Sequence, residues 1–284
     1  PFFCYIATNA PHAPYIPPPG GREQAYQEAL TAAGITNAKQ LANAAPFFAM
    51  IENIDANMGR LLKKLNDLGI AEDTLVVFST DNGTAAGAAV FNDGMRGQKG
   101  TPYRGGTRVP AFWRWQGTLP EGVDVPAVTA HIDVLPTLCE ITGATIPPAI
   151  AEKVEGRSLV PLLRDVAAEW PDRPLVTHVG RWDRGQAAES GYRNCRLREG
   201  KWSLVNTKNR PDAWELYDIS SDPGEQTNLA ALHPDVVTRL VGTYDAWWQS
   251  VQPDLVNEDL DGPAENPFKT AYWAQFGPRP TLID

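Results

Sequence analysis

The clearest repeat of apolar positions in the chain falls between Ala45 and Leu68. Apolar side chains recur there every three or four residues and Gly69 follows directly, a spacing that predicts an amphipathic helix with a glycine stop. Residues 2–7 (FFCYIA) and 74–80 (TLVVFST) are short apolar runs typical of buried strands. Strand, helix and strand in this order predict a βαβ unit, and hence an α/β fold with a mostly parallel sheet flanked by helices.

The apolar pattern changes in the last third of the chain. Residues 192–206 (YRNCRLREGKWSLVN) alternate polar and apolar side chains around a Glu-Gly turn, which predicts an antiparallel hairpin with one solvated face. Residues 214–219 (WELYDI) predict a third strand, and apolar side chains at helical spacing over residues 233–250 predict a packing helix. We therefore predict an α/β domain over residues 1–173 and a smaller α+β subdomain over residues 174–284, which ends in an irregular tail.

Composition excludes two classes of partner. The 284 residues carry a net charge of −9, which argues against nucleic-acid binding, because phosphate contacts need clustered Lys and Arg. No run of about 18 apolar residues occurs, so no membrane span is predicted. The chain opens inside an apolar run, without an initiator Met or a cleavage signal, and we expect it to be a piece of a longer polypeptide.

Polar residues suited to chemistry follow both predicted strands. His12 lies in TNAPH after the first strand, and Asp81 and Asn82 lie in TDNG after the second. In open α/β sheets ligands bind beyond the carboxyl ends of the strands, so we expect both loops at one edge. Carboxylate and amide oxygens suit a hard cation such as Ca²⁺ or Mg²⁺. A turn is the alternative for Asp81 and Asn82, because Asx residues before glycine are also a strong turn signal.

A glycine-rich segment, MRGQKGTPYRGGTRVP at residues 95–110, supplies a third part. Its glycines allow backbone to approach a ligand closely, with Lys99 as a point charge. A cation, a lysine and a histidine together suit an oxyanion ester, where charge develops on oxygen atoms during transfer. Taken singly, each part has another interpretation. His12 is as typical of a histidine that makes a loop hydrogen bond as of a catalyst. Lys99 is typical of a solvated surface lysine, and the segment is typical of a flexible loop.

In their order, these stretches resemble the type I sulfatases of the alkaline phosphatase superfamily. The resemblance rests on PFFCYIATNAPHAPY, VVFSTDNG, MRGQKGTPYRGGTRVP, HIDVLPTLCEITG and WELYDISSDPGEQTNLA, and it covers nearly the whole chain. It implies an alkaline-phosphatase-like fold, hydrolysis of sulfate esters, and export to the periplasm or out of the cell. It implies Asp81 and Asn82 as ligands of a divalent cation, usually calcium, with magnesium as the alternative. It also implies that His12 assists the leaving oxygen and Lys99 binds the sulfate, with His178, in VTHVGRW, facing the leaving group.

Two parts of the family pattern are missing. Family members use a Cys or Ser in a C/S-x-P-x-R motif, which is converted to formylglycine, whose hydrate attacks sulfur. Neither Cys4, Cys139, Cys195 nor any serine stands in that motif, and an early pair of acidic metal ligands is also absent. The resemblance thus implies that a preceding segment of the same protein supplies both, and that this chain alone is inactive and binds a cation weakly. The widely spaced cysteines are instead predicted to be buried free thiols.

Two other functions stay open. A phosphate or phosphonate ester hydrolase of the same superfamily has a related site. Its two-zinc members tend to place His where Asn82 stands, which favours a sulfatase, but single-metal phosphonate hydrolases stay open as an alternative. A noncatalytic binder of sulfated glycans or of a protein partner is the third hypothesis. The presence of all four candidate residues together speaks against it, because a binder does not need them all.

Overall fold

The structure is a computed structural model that describes residues 1–20, 22–255, 262–265 and 267–277. In chain order its helices are α1 (Glu23–Ala32), α2 (Ala38–Asp67), α3 (Arg104–Thr107), α4 (Val134–Thr142), α5 (Pro148–Ala151), α6 (Val160–Arg164), α7 (Pro234–Leu255) and α8 (Pro267–Phe276). The strands are β1 (Val76–Ser79), β2 (Ala111–Arg114), β3 (Leu175–His178), β4 (Cys195–Glu199), β5 (Trp202–Asn206) and β6 (Glu215–Asp218). Short 3₁₀ turns lie at Gly87–Ala89, His131–Asp133 and Ala188–Ser190. The predicted α/β class is confirmed.

Helix α2 is the helix predicted from apolar spacing, and it begins at Ala38 rather than Ala45. Asn37 caps it, because the Asn37 side chain accepts a hydrogen bond from Gln40 N at 3.0 Å and so satisfies one of the free amides of the first turn. The helix ends before Gly69, whose φ of 68° is the left-handed conformation that glycine takes readily at helix ends. Two of its buried residues, Ala44 and Ala45, pack with Leu30 of α1.

The predicted parallel sheet does not form in the described part of the chain. Strand β1 pairs antiparallel with β2, with Val76 opposite Arg114. Residues 2–7 form no strand, and Phe3 and Tyr5 are 80% and 82% exposed. A buried strand needs hydrogen-bonding neighbours and covering layers on both faces, and residues 2–7 have neither here. The prediction of a buried strand over these residues is therefore wrong for this structure.

The C-terminal sheet agrees with its prediction. Strands β3, β4, β5 and β6 lie in that order, each antiparallel to the next. Glu199 pairs with Trp202 across a two-residue turn in which Gly200 has a φ of 52°, as tight hairpins require. Helix α7 covers the sheet. The buried residues of this core are Cys195, Leu197, Leu204, Trp214, Leu216, Leu240, Tyr244 and Trp248.

The tail is partly regular. Helix α7 continues to Leu255, and α8 adds a second helix where the sequence predicts an irregular segment. The rest of the predicted tail, residues 256–261, 266 and 278–284, lies outside the described residues. No helix in the described ranges is long and apolar enough to cross a membrane.

The three cysteines are free thiols, as predicted, but their burial differs. Cys195 is fully buried in the C-terminal core, and burial raises the pKa of its thiol to about 12. Cys139 is half-buried and Cys4 is exposed. The prediction of burial is therefore wrong for Cys4, because the strand that was expected to bury it does not form.

Candidate functional site

Strand β1 ends at Ser79 and presents Asp81 and Asn82 side by side. Asn82 Nδ2 donates a hydrogen bond of 2.6 Å to Asp81 Oδ2. The loop turns tightly at Gly83, whose N–H donates to the Gly106 carbonyl at 3.0 Å. A Cβ on Gly83 would lie 1.9 Å from the Gly105 carbonyl oxygen, so only glycine fits. The chain bends at Asp81 and Asn82, where the Asx-Gly sequence predicts a turn, and the two candidate ligands lie together at the end of the strand.

Residues 92–107, which we call the lysine segment, pack against this loop. The Lys99 N–H donates to the Thr84 carbonyl at 3.0 Å, and this bond fixes the backbone of Lys99 beside the TDNG loop. Lys99 is half-buried, and its Nζ has no hydrogen-bond or ion-pair partner among the described residues. A Cβ on Gly105 would lie 2.2 Å from the Gly97 carbonyl oxygen. The glycines therefore allow the segment to pack closely on itself, which argues against a flexible surface loop.

A second histidine, His131, contacts the same loop and was not among the predicted site residues. Its Nε2 lies 2.8 Å from the carbonyl oxygen of Thr80, the residue before Asp81. Because a carbonyl only accepts hydrogen bonds, Nε2 carries the hydrogen. Asp133, two residues further on, is fully buried and forms an ion pair with Arg173 at 2.5 Å. The pair holds the 3₁₀ turn that carries His131. In the sequence, the motif HID directly before a helix was the signal that could have identified His131 as a site residue.

The hydrogen bonds of His12 are local. The His12 N–H donates to the Asn9 carbonyl at 2.9 Å, and Nδ1 lies 2.7 Å from the carbonyl of the next residue, so His12 sits in an exposed local turn. An edge-to-face contact of Tyr15 with Phe47, at 5.8 Å, connects the segment to α2. Among the described residues, no hydrogen bond or ion pair joins His12 to the TDNG loop or to Lys99. The predicted role of His12 stays a prediction.

His178 lies in the C-terminal sheet, where both of its ring nitrogens face backbone groups. Gly180 N donates to Nδ1 at 2.8 Å, and Nε2 lies 3.0 Å from the Ser190 carbonyl. The ring stacks on Trp248 with centroids 5.1 Å apart. Burial lowers the pKa of His178, which favours the neutral ring. A contact with a leaving group would have to replace one of these two hydrogen bonds, and the predicted role of His178 stays a prediction.

The donor set fits a hard cation in kind but falls short in number. Asp81 Oδ1 and Asn82 Oδ1 have no hydrogen-bond partner among the described residues, and they are the oxygen types that Ca²⁺ and Mg²⁺ bind. Over the described ranges, no three His, Cys, Asp or Glu side chains form a group that could hold a metal. Calcium takes about six to eight oxygen ligands, so Asp81 and Asn82 fit as part of a coordination shell only.

Comparison with known protein families agrees with the order of these motifs. The family model "Sulfatase" matches residues 1–144, just over half of the chain, and the model "N-sulphoglucosamine sulphohydrolase, C-terminal" matches residues 98–240. The chain belongs to the sulfatase family. The resemblance seen in the sequence is therefore confirmed. The second family model matches this sulfatase chain from the lysine segment through the C-terminal sheet.

Individual relatives extend over more of the sulfatase chain. A "Sulfatase" of Formosa agariphila is 29% identical over 266 residues, which cover 87% of this chain and 46% of that protein. Arylsulfatase A of Homo sapiens is 28% identical over 261 residues, covering 84% and 47%. The chain thus spans about half the length of the curated relatives it matches. The crystal structure of Ps i-CgsB superposes with a TM-score of 0.70 at 21% identity, over 97% of this chain and 54% of that one, which shows the shared fold.

Proposed function

We propose that the protein hydrolyses sulfate esters and that this chain supplies the cation ligands and the sulfate-binding lysine of the active site. One observation carries the proposal: two backbone hydrogen bonds, Gly83 to Gly106 and Lys99 to Thr84, join the TDNG loop to the lysine segment. A carboxylate, an amide oxygen and an ammonium group thereby share one rigid scaffold. This combination suits the anionic sulfate group of an ester beside a divalent cation.

Asp81 and Asn82 hold the cation, which is calcium, with magnesium as the alternative. When bound, the cation withdraws charge from the sulfate oxygens. Lys99 binds the sulfate group and neutralises the charge that develops during transfer, for which a single well-placed group can contribute about 3 kcal/mol. The absence of a competing partner for Lys99 Nζ among the described residues supports this role.

His12 protonates the leaving oxygen. Its Nε2 has no hydrogen-bond partner among the described residues, and a general acid contributes roughly 100-fold or more to the rate. We assign the nucleophile, a formylglycine by family resemblance, to a segment outside the printed sequence, since no Cys or Ser here stands in a C/S-x-P-x-R motif. The 284-residue chain by itself is then inactive, and the full protein acts in the periplasm or outside the cell.

The test compares an aryl sulfate with the aryl phosphate of the same phenol on the full-length protein. We expect faster hydrolysis of the sulfate, and a loss of about 100-fold in kcat/KM for Lys99→Ala, because a charge-stabilising group is removed. Lys63→Ala is the matched control, since Lys63 only pairs with Asp67 on the exposed side of α2. A preference for the phosphate by several orders of magnitude would instead indicate a phosphate or phosphonate hydrolase. Binding of sulfated glycans without turnover of either ester would indicate a noncatalytic binder.

A further inference from the structure

The lysine segment is fixed from the C-terminal sheet as well as from the TDNG loop. Arg96 Nη1 donates to the hydroxyl oxygen of Tyr217, on β6, at 2.6 Å. It also donates to the Glu225 carbonyl at 3.1 Å. At the other end of the segment, Arg104 Nη1 donates to the Pro223 carbonyl at 2.6 Å. The turn that carries Lys99 therefore lies between two arginines that are both held by β6 and the loop after it.

Glu225 is the centre of this attachment. It is a fully buried carboxylate on the loop after β6, and its φ of 53° is uncommon for a residue other than glycine. Glu225 Oε2 accepts a hydrogen bond from the backbone N–H of Arg104 at 2.8 Å. Glu225 Oε1 accepts one from Ser203 Oγ at 2.7 Å. A buried charge is costly unless it is paired and hydrogen-bonded, and one of the bonds that satisfies this charge goes to the lysine segment.

Arg196 on β4 balances the charge of Glu225. It also contacts α3, the short helix that begins at Arg104. Its Nη2 lies 3.6 Å from Glu225 Oε1, and its Nη1 donates to Thr107 Oγ1 at 2.6 Å. Arg196 is almost fully buried, as Glu225 is. The buried pair thus holds helix α3 at its first residue through Glu225 and at its last through Arg196.

Helix α3 passes this constraint on to the candidate site. The Gly106 carbonyl, within α3, accepts the hydrogen bond from Gly83 that fixes the turn after Asp81 and Asn82. Gly105 N donates to the Arg96 carbonyl at 2.8 Å, which closes the loop that contains Lys99. A displacement of α3 would therefore move both the lysine and the two cation ligands.

We propose that Glu225 is a positioning residue of the sulfatase site, which fixes α3 and, through it, Lys99 and the Asp81–Asn82 loop. The proposal rests on the proposed function, because it gives Lys99 a catalytic use. Glu225 does not touch the substrate, since its carboxylate is enclosed by protein groups. Its effect is geometric: a displacement of about 1 Å in an active site can reduce the rate by 100-fold.

The first test is Glu225→Gln in the full-length protein. The variant keeps an oxygen for the Arg104 N–H but loses the charge that balances Arg196. We expect kcat/KM for an aryl sulfate to fall by about 10- to 100-fold in the folded protein. We also expect faster hydrogen exchange at the amides of Lys99 and Gly83, with unchanged exchange in helix α7. Glu199→Gln is the control, because it breaks an ion pair with Arg239 in the same sheet but away from the lysine segment.

A double-mutant cycle separates positioning from general stabilisation. If Glu225 acts through Lys99, Glu225→Gln lowers kcat/KM much less in a Lys99→Ala background than in the wild type. Losses that multiply in full would overturn the proposal. Where Glu225→Gln does not fold, Tyr217→Phe replaces it, since this variant removes the hydroxyl that accepts from Arg96 and donates to Glu215 Oε2 on the same strand. We expect Tyr217→Phe to show the same faster exchange at Lys99, with a smaller loss in kcat/KM.

The exchange measurement keeps the two proposals distinguishable. If the wild-type protein does not hydrolyse sulfate esters, the proposed function fails, but exchange at Lys99 and Gly83 still decides the role of Glu225. Unchanged exchange at both amides in Glu225→Gln, or in Tyr217→Phe where the first variant does not fold, would overturn positioning whatever the activity. Faster exchange confined to these amides and to Arg104 would support it.

Discussion

The N-terminal and C-terminal parts of the chain both contain sequences that predict strands, but they differ in what those sequences form. In the C-terminal sheet, Leu197 and Leu204 face each other across a hairpin and are fully buried under α7. At the N-terminus, Phe3 and Tyr5 lie exposed in an extended segment without strand partners. An antiparallel hairpin finds its partner a few residues away, whereas a strand of a parallel sheet depends on partners that are distant in the chain. Apolar character alone therefore does not decide whether a strand forms.

The candidate site lies between these two regions and takes its support from the C-terminal one. The TDNG loop is held through Gly83 by the lysine segment, which Glu225 and Arg196 hold in turn. On its other side the loop contacts His131, whose turn depends on the buried Asp133–Arg173 pair. Buried polar contacts, rather than an apolar core, thus fix this edge of the fold.

Loss of the Asp133 carboxylate tests that statement and has the largest expected effect. Asp133→Ala leaves the Arg173 guanidinium buried without its partner, which costs about 3 to 5 kcal/mol of unfolding free energy. It also frees the turn that carries His131. Chemical denaturation followed by tryptophan fluorescence measures the loss, and Asp254→Ala is the control because its pair with Lys153 is exposed. Equal stability of the two variants would show that the edge has other support.

Truncation of matched apolar residues measures the contrast between the two ends directly. Leu204→Ala removes a fully buried side chain and should cost about 2 to 5 kcal/mol. Phe3→Ala, in the 284-residue chain, should change the unfolding free energy by less than about 0.5 kcal/mol, because an exposed side chain loses little packing. The same denaturation curves compare both. A large cost for Phe3→Ala would mean that residues 2–7 are buried in solution, and the contrast would disappear.

The elements that could be predicted from the sequence are those whose packing or pairing partners lie nearby in the chain. The hairpin of β4 and β5 and the helix α7 were predictable, because alternation and helical spacing record local geometry. The strand at Val76–Ser79 was also predictable, but its antiparallel partner at Ala111–Arg114 was not. A period of two shows that a strand has two faces and carries no information about which distant strand pairs with it.

The candidate site divides in the same way. Asp81, Asn82 and Lys99 were selected from the sequence because their residue types and neighbouring glycines suit a cation and an oxyanion, and their roles stay predictions. The contacts of His131 with Thr80 and of Glu225 with Arg104 were not predictable, since they join positions 51 and 121 residues apart. Only tertiary packing relates such positions. No helical or strand period does.

Acidification probes the C-terminal region through His178. Burial lowers its pKa below the ordinary value of 6.5, so the unfolded chain binds the proton more readily than the folded one. The stability that the neutral ring contributes is present above about pH 6.5 and is lost as the pH falls through the folded pKa. We expect the unfolding free energy to decrease over that range, and His178→Phe to flatten this part of the profile. An unchanged profile in the variant would assign the pH dependence to other groups.

Calcium binding to the 284-residue chain should give the smallest effect, and it tests how incomplete the N-terminal part of the site is. Two oxygen ligands hold a hard cation weakly. With a Kd of about 1 mM, 1 mM calcium would stabilise the fold by only about 0.4 kcal/mol. Calorimetry and thermal unfolding with and without calcium measure this, with Asp81→Asn as the variant that removes a charged ligand. Micromolar affinity that Asp81→Asn abolishes would contradict the expectation, because such affinity requires a nearly complete coordination shell around Asp81.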